Sequence, residues 1–146
     1  MKTQLTRKHT VLWADDDPDD LFLMREVLER VDDQHNLVQA INGRQALNYL
    51  DAIHHPSDFP CIIILDINMP VLNGKETLAI IRSEERFNSI AVVVFTTSNS
   101  ERDRQFCERF GVEMFSKPHT YADFEKMIGT LLTLCRNRDD ENPSLN

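Results

Sequence analysis

Positive charge is in short supply in this chain: 16 Lys and Arg stand against 24 Asp and Glu, for a formal net charge of -8. A basic groove that tracks nucleic-acid phosphates is therefore disfavoured, and the acidic surface calls for a basic or cationic partner. Long apolar runs are missing as well. The longest, Ile90 to Phe95, has six residues, against the roughly 20 that a membrane helix needs, and the first ten residues are polar in character, so neither a membrane span nor an export signal is predicted. Cysteine is sparse, and Cys61, Cys107 and Cys135 are odd in number, far apart and without CxxC spacing. That pattern predicts reduced thiols acting as small hydrophobes in a cytoplasmic protein, with no disulfide staple. The four glycines build neither GxGxxG nor GxxxxGK[ST], which removes the common nucleotide-binding loops.

What is present suits one ordinary domain. With 146 residues, 41% hydrophobic and 27% charged, the chain can bury roughly two thirds of its unfolded surface and needs no structural metal. Short, continuous apolar runs at Val11 to Ala14, Cys61 to Leu65 and Ile90 to Phe95 read as strands buried on both faces, and weaker runs at Leu37 to Ile41 and Met114 to Ser116 add two more. Between them lie segments of helical spacing. They carry Leu21, Met24, Leu28 and Val31, then Ala46, Leu47, Leu50 and Ile53, then Leu78 and Ile81; Glu101 to Phe110 and Tyr121 to Cys135 follow. Asp17 before Pro18 suits a helix cap and first helical position, Ser98 with Glu101 a capping box, and Thr120 with Asp123 a weaker version.

Strands alternating with helices imply a doubly wound α/β fold, a five-stranded parallel sheet with five helices on its two faces. Residues 1–8 read as an N-terminal extension, 9–136 as the domain, and 137–146 as a tail in which periodicity fades. The stretch from His54 to Pro60 is the one conspicuous loop, and its two adjacent histidines read as exposed loop residues, since neighbours cannot easily share one ion. Trp13 falls within the first strand and reads as core.

Ligands of open α/β sheets bind beyond the carboxyl ends of the strands. There the first strand delivers Asp15, Asp16 and Asp17, the third Asp66, the fourth Thr96 and Thr97, and the fifth Lys117 and Pro118. Taken singly, each has a plainer explanation: an acidic turn, a β-forming Thr, a surface Lys. Together they are costly, because two carboxylates about 5 Å apart repel by roughly 3 kcal/mol at an effective dielectric of 20. A cation answers that repulsion. Hard oxygen donors suit Mg2+ or Mn2+ better than zinc, and a divalent ion, a Lys and a hydroxyl around a carboxylate point to phosphoryl chemistry with Asp66 as nucleophile.

These residues resemble the receiver domain of two-component response regulators. The motifs are Val11-Leu12-Trp13-Ala14-Asp15-Asp16-Asp17-Pro18, Leu65-Asp66-Ile67-Asn68-Met69-Pro70 with Gly74 shortly after, Phe95-Thr96-Thr97-Ser98, and Ser116-Lys117-Pro118, in the family's order from about His9 to Cys135. The resemblance implies a flavodoxin-like receiver fold in which Asp66 takes a phosphoryl group from a sensor histidine kinase or phosphotransfer protein. It implies that Asp15, Asp16, Asp66 and the Asn68 backbone carbonyl hold Mg2+, with Mn2+ able to substitute, and that Lys117 pairs with the phosphoryl oxygens. Thr96 would turn toward the new group and repack the face of the fourth helix, fifth strand and fifth helix. Asn68 and Ser98 would tune hydrolysis. If the first strand ran one residue longer, the metal pair would be Asp16 and Asp17, but Asp17 is the better helix cap.

One departure stands out: Met114, not an aromatic residue, lies three positions before Lys117, so the signalling face should change by another side-chain movement. The implied function is a phosphorylation-dependent switch acting on a downstream protein target, not an enzyme with a diffusible substrate, and it leaves a phosphorylation-dependent homodimer open. The competing function is a Mg2+-dependent phosphohydrolase with an Asp nucleophile. Such enzymes place that Asp after the first strand and add a cap domain, whereas Asp66 lies in mid-chain.

Overall fold

The computed structural model describes residues 9–31 and 34–141, with side chains up to Cys135; the expected extension 1–8 and the last part of the expected tail, 142–146, lie outside the described residues. The strands are β1 (His9–Ala14), β2 (His35–Ala40), β3 (Ile62–Leu65), β4 (Ala91–Thr96) and β5 (Glu113–Ser116); the helices are α1 (Pro18–Val31), α2 (Gly43–Asp51), α3 (Gly74–Ser83), α4 (Glu101–Arg109) and α5 (Tyr121–Glu141). All strand pairs are parallel and the sheet order is β2-β1-β3-β4-β5. This is the doubly wound architecture that the alternation of periods predicts.

Continuous apolar runs form in β1, β3 and β4 because these central strands are covered on both faces, while the edge strands β2 and β5 are only partly buried. Val11, Trp13, Ile62, Ile64, Val93 and Phe95 face the layer of α1 and α5, where Met24, Val27, Phe124, Ile128 and Leu131 are buried. Leu12, Ala14, Ile63, Leu65, Val92 and Val94 face α2, α3 and α4 through Leu47, Leu50, Leu78, Ile81 and Cys107. Trp13 belongs to the core as its sequence context indicates; it meets Phe95 edge-on at 5.1 Å and stacks on Phe124 at 6.3 Å between ring centroids. Met114 and Phe115 part company across β5, Met114 packing with the α4 layer and Phe115 with the α5 layer.

The caps divide. Asp17 accepts the Asp19 N–H at 2.9 Å and Thr120 accepts the Asp123 N–H at 3.1 Å, as the sequence indicates for α1 and α5. The expected Ser98–Glu101 box does not form: Ser100 caps α4 by accepting the Asp103 N–H, because the helix starts one residue after Ser100 and Ser98 belongs to the preceding loop. Two further caps were not read from the sequence, Asn42 at α2 and a reciprocal box of Asn73 and Glu76 at α3. Val31, placed on the apolar stripe of α1, is 40% exposed at the last residue of the helix. Helix α5 continues to Glu141, beyond Cys135 where its apolar stripe ends.

The expectation of three reduced thiols is overturned. Cys61, just before β3, and Cys135, on α5, are joined as a disulfide across 74 residues with Cα atoms 5.1 Å apart. Spacing along the chain carries no trace of that approach, which arises because α5 crosses back over the start of β3. Cys107 is free and buried, as a small hydrophobe would be.

Candidate phosphoacceptor site

The strand ends are level, and the ladder carries one step beyond them. The N–H of Asp15 donates to the carbonyl of Ala40, that of Asp66 to Ala14 and that of Lys117 to Thr96, each at 3.0 Å. Parallel pairing thus holds the backbone of the first residue after β1, β3 and β5 as rigidly as the sheet itself. The sheet order reverses between β1 and β3, so their following loops diverge to opposite faces and leave a crevice there. Asp15 and Asp66 flank it.

Asp15 and Asp66 are buried, at 0% and 5% exposure, while Asp16 is exposed. One carboxylate oxygen from each of Asp15, Asp16 and Asp66 lies within 4.8 Å of the others, so these three can reach a common ion. Asp17 stands outside the group as the cap of α1, and β1 ends at Ala14 without the extra residue. Lys117 points its ammonium into the same space, 2.8 Å from Asp15 Oδ2 and 3.1 Å from Asp66 Oδ2. Its third partner, Asp20 Oδ2 at 2.8 Å, was missed from the sequence. The signal was there: Asp20 sits in the first turn of α1, three residues after the recognised cap Asp17 and on the same side of the helix start.

Burial raises the Asp15 carboxyl to about 6, against the Lys117 hydrogen bond and the Asp17 N–H, which favour its anion. Burial alone would lower Lys117, but hydrogen bonds to Asp15 and Asp20 outweigh it and hold the ammonium above its ordinary value. In formal charge, the three carboxylates that can share an ion carry three negatives against one from Lys117. A hard divalent cation fits that donor set and closes that deficit.

Thr96, wholly buried at the end of β4, accepts the Ser98 N–H at 3.2 Å through its Oγ1. Ser98 Oγ donates to Asp103 Oδ2 at 2.5 Å, and Asp103 pairs with Lys75 of α3. Both partners hold the Asp103 carboxyl below its ordinary range. This relay from Thr96 to α3 and α4 was also missed, and nothing local in the sequence announces it. Thr97 and Asn68 are exposed beside the crevice, and Pro118 is half-buried after Lys117. His54 and His55 are exposed in the loop after α2 and take no part.

Residues 11–129 match the model of the response regulator receiver domain. Stress response regulator protein 1 of Candida tropicalis is 35% identical over 112 residues, which is 76% of this chain and 40% of that protein, so the chain spans well under half of that relative's length. Response regulator Rcp1 of Synechocystis is 30% identical over 132 residues, 89% of this chain and 79% of Rcp1. The crystal structure of Mn2+-bound Rcp1 superposes with a TM-score of 0.72 at 30% identity, covering 82% of this chain and 88% of that one. That of the phosphorylated cyanobacterial phytochrome response regulator RcpA gives 0.76 at 26% identity, covering 85% and 91%.

Proposed function

The chain belongs to the response regulator receiver domain family, a family of phosphoacceptor signalling modules, and from that premise we propose that Asp66 is its phosphoacceptor. The observation that carries this reading is the meeting of Asp15, Asp16 and Asp66 with Lys117 at the crevice between β1 and β3. Asp66 offers a carboxylate oxygen to the phosphorus of a phosphohistidine on a sensor kinase or phosphotransfer protein; the new P–O bond forms as the P–N bond breaks and the histidine keeps the electron pair. Asp15, Asp16, Asp66 and the Asn68 backbone carbonyl would hold Mg2+ or Mn2+, the latter being the ion bound in the Rcp1 crystal structure. That ion supplies compensation for the charge on the phosphoryl oxygens.

Lys117 orients the incoming group and afterwards pairs with its oxygens. Phosphorylation leaves the crevice about one unit more negative, and that charge needs a further donor. Thr96 supplies it, because its Oγ1 accepts from Ser98 and its hydroxyl proton remains to be given. Turning Thr96 loosens Ser98, and through Asp103 alters the seat of α4. Met114, packed on the α4 side of β5, repacks in place of an aromatic switch. The resulting face of α4, β5 and α5 is the surface offered to a downstream protein, or to a second copy of the chain.

Among the described residues no helix is long and apolar enough to cross a membrane; the proposed setting is the cytoplasm, with signalling and not metabolite turnover as the role. Incubation with acetyl phosphate, with and without Mg2+, followed by intact mass, tests the assignment. One phosphoryl group should appear only with Mg2+ and disappear in Asp66→Asn. An adduct that persists in Asp66→Asn overturns it, and turnover of a panel of phosphomonoesters would favour the phosphohydrolase instead.

A further inference from the structure

At the opposite end of the sheet from Asp66 lies a second cluster of a different chemical kind. His9 opens β1, Cys61 precedes β3, and Cys135 is buried on α5. The N–H of Cys61 donates to the Thr10 carbonyl at 2.9 Å, which ties the starts of β1 and β3 together. One ligand atom from each of His9, Cys61 and Cys135 lies within 4.8 Å of the others. His35 pairs with His9 in register and its ring stands 5.7 Å away, between centroids.

Two sulfurs and an imidazole form a soft donor set, the reverse of the all-oxygen group around Asp66. We propose that His9, Cys61 and Cys135, once the disulfide is reduced, bind a thiophilic divalent cation of the Zn2+ type. The two states exclude each other, because the same sulfurs make either the S–S bond or the metal bonds. A dithiol reductant gives up two electrons and two protons, leaving as its own disulfide while the S–S bond becomes two thiols. The cation then displaces the two thiol protons to solvent. Two thiolates on a tetrahedral ion with bonds of about 2.3 Å stand about 3.8 Å apart, a separation that side-chain rotation supplies from Cα atoms 5.1 Å apart. His9 and Cys61 are only half-buried, which gives the ion a way in and leaves its fourth position to water. The metal site therefore exists only under reducing conditions, which open the disulfide.

The test is a Co2+ titration of the full chain, reduced with a phosphine and freed of it under anaerobic conditions. Thiolate-to-cobalt charge transfer in the near ultraviolet and tetrahedral bands in the visible should saturate at one equivalent and be displaced by Zn2+. Air-oxidised protein should show neither. Cys61→Ser and Cys135→Ser should lose the charge-transfer band, His9→Ala should weaken Zn2+ binding by at least about tenfold, and Cys107→Ser should change nothing. Asp66→Asn should also retain the band, so this result stands or falls separately from the phosphoacceptor assignment. Absence of the band in reduced wild-type protein, a comparison that needs no variant to fold, overturns the proposal. So does its survival in Cys61→Ser.

Discussion

The ammonium of Lys117 lies 2.8 Å from a carboxylate oxygen of Asp20, 97 positions earlier in the chain. The lysine is thus divided among Asp15, Asp20 and Asp66. Pairing with a phosphoryl group requires it to give up part of that sharing, and Asp20, the most exposed of the three, is the partner most cheaply released.

Replacing Asp20 by Asn therefore removes negative potential from the crevice without removing a proposed ligand. Mg2+ affinity, measured by calorimetry at fixed ionic strength, should fall about threefold, within the 1 kcal/mol reached by partly exposed pairs. Asp16→Asn, which deletes a proposed ligand, should cost more than about tenfold. Equal losses in the two variants would place Asp20 on the ion.

Gly74 backs directly onto Asp66, the proposed acceptor. A Cβ there would run into the carbonyl oxygen of Asp66 and come within 2.8 Å of Ile67 Cα, and the Gly74 N–H is spent on the Ile67 carbonyl at 2.9 Å. Backbone cannot yield as a side-chain tip can. Gly74→Ala should destabilise the protein by about 1–3 kcal/mol in urea unfolding and slow phosphorylation by acetyl phosphate, because Asp66 is pushed out of line with Lys117.

Val71 carries a cost of its own. It has φ 68° at the centre of a turn closed by the Leu72 N–H on the Pro70 carbonyl at 2.6 Å, and it is 78% exposed. A β-branched residue in the left-handed region is strained by about 1–2 kcal/mol, and little burial offsets it. Val71→Gly recovers that strain less the added freedom of the unfolded chain. A net gain of about 0.5–1 kcal/mol should appear as a higher urea midpoint.

Asp103 sets a pH dependence. The Lys75 and Ser98 partners lower its folded value below the ordinary 3.8, so the folded state holds the anion better than the unfolded state does. The contribution is fully present above 3.8 and disappears as pH falls through the lower folded value. Lys75→Met should be less stable than wild type at neutral pH, with the gap closing below pH 3.8. A gap that is unchanged down to pH 2 would assign the loss to packing.

Short-range information was sufficient for much of this protein. The central strands were legible because burial on both faces writes unbroken apolar runs, and Asp17 and Thr120 because a cap acts within three residues of itself. The positions of Asp15, Asp16, Asp66, Thr96 and Lys117 followed from those strand ends, since parallel pairing makes the ends level. Elsewhere chain neighbourhood was silent or misleading. Ser98 and Ser100 compete for the same cap, and the exact start of α4 chooses between them. Lys117 with Asp20, Lys75 with Asp103 and Cys61 with Cys135 meet only because helices cross the sheet at particular heights, and the disulfide came out against expectation. Hydrogen bonds within a turn are encoded by the residues of that turn; contacts between elements depend on how whole layers pack, which no single stretch of chain records.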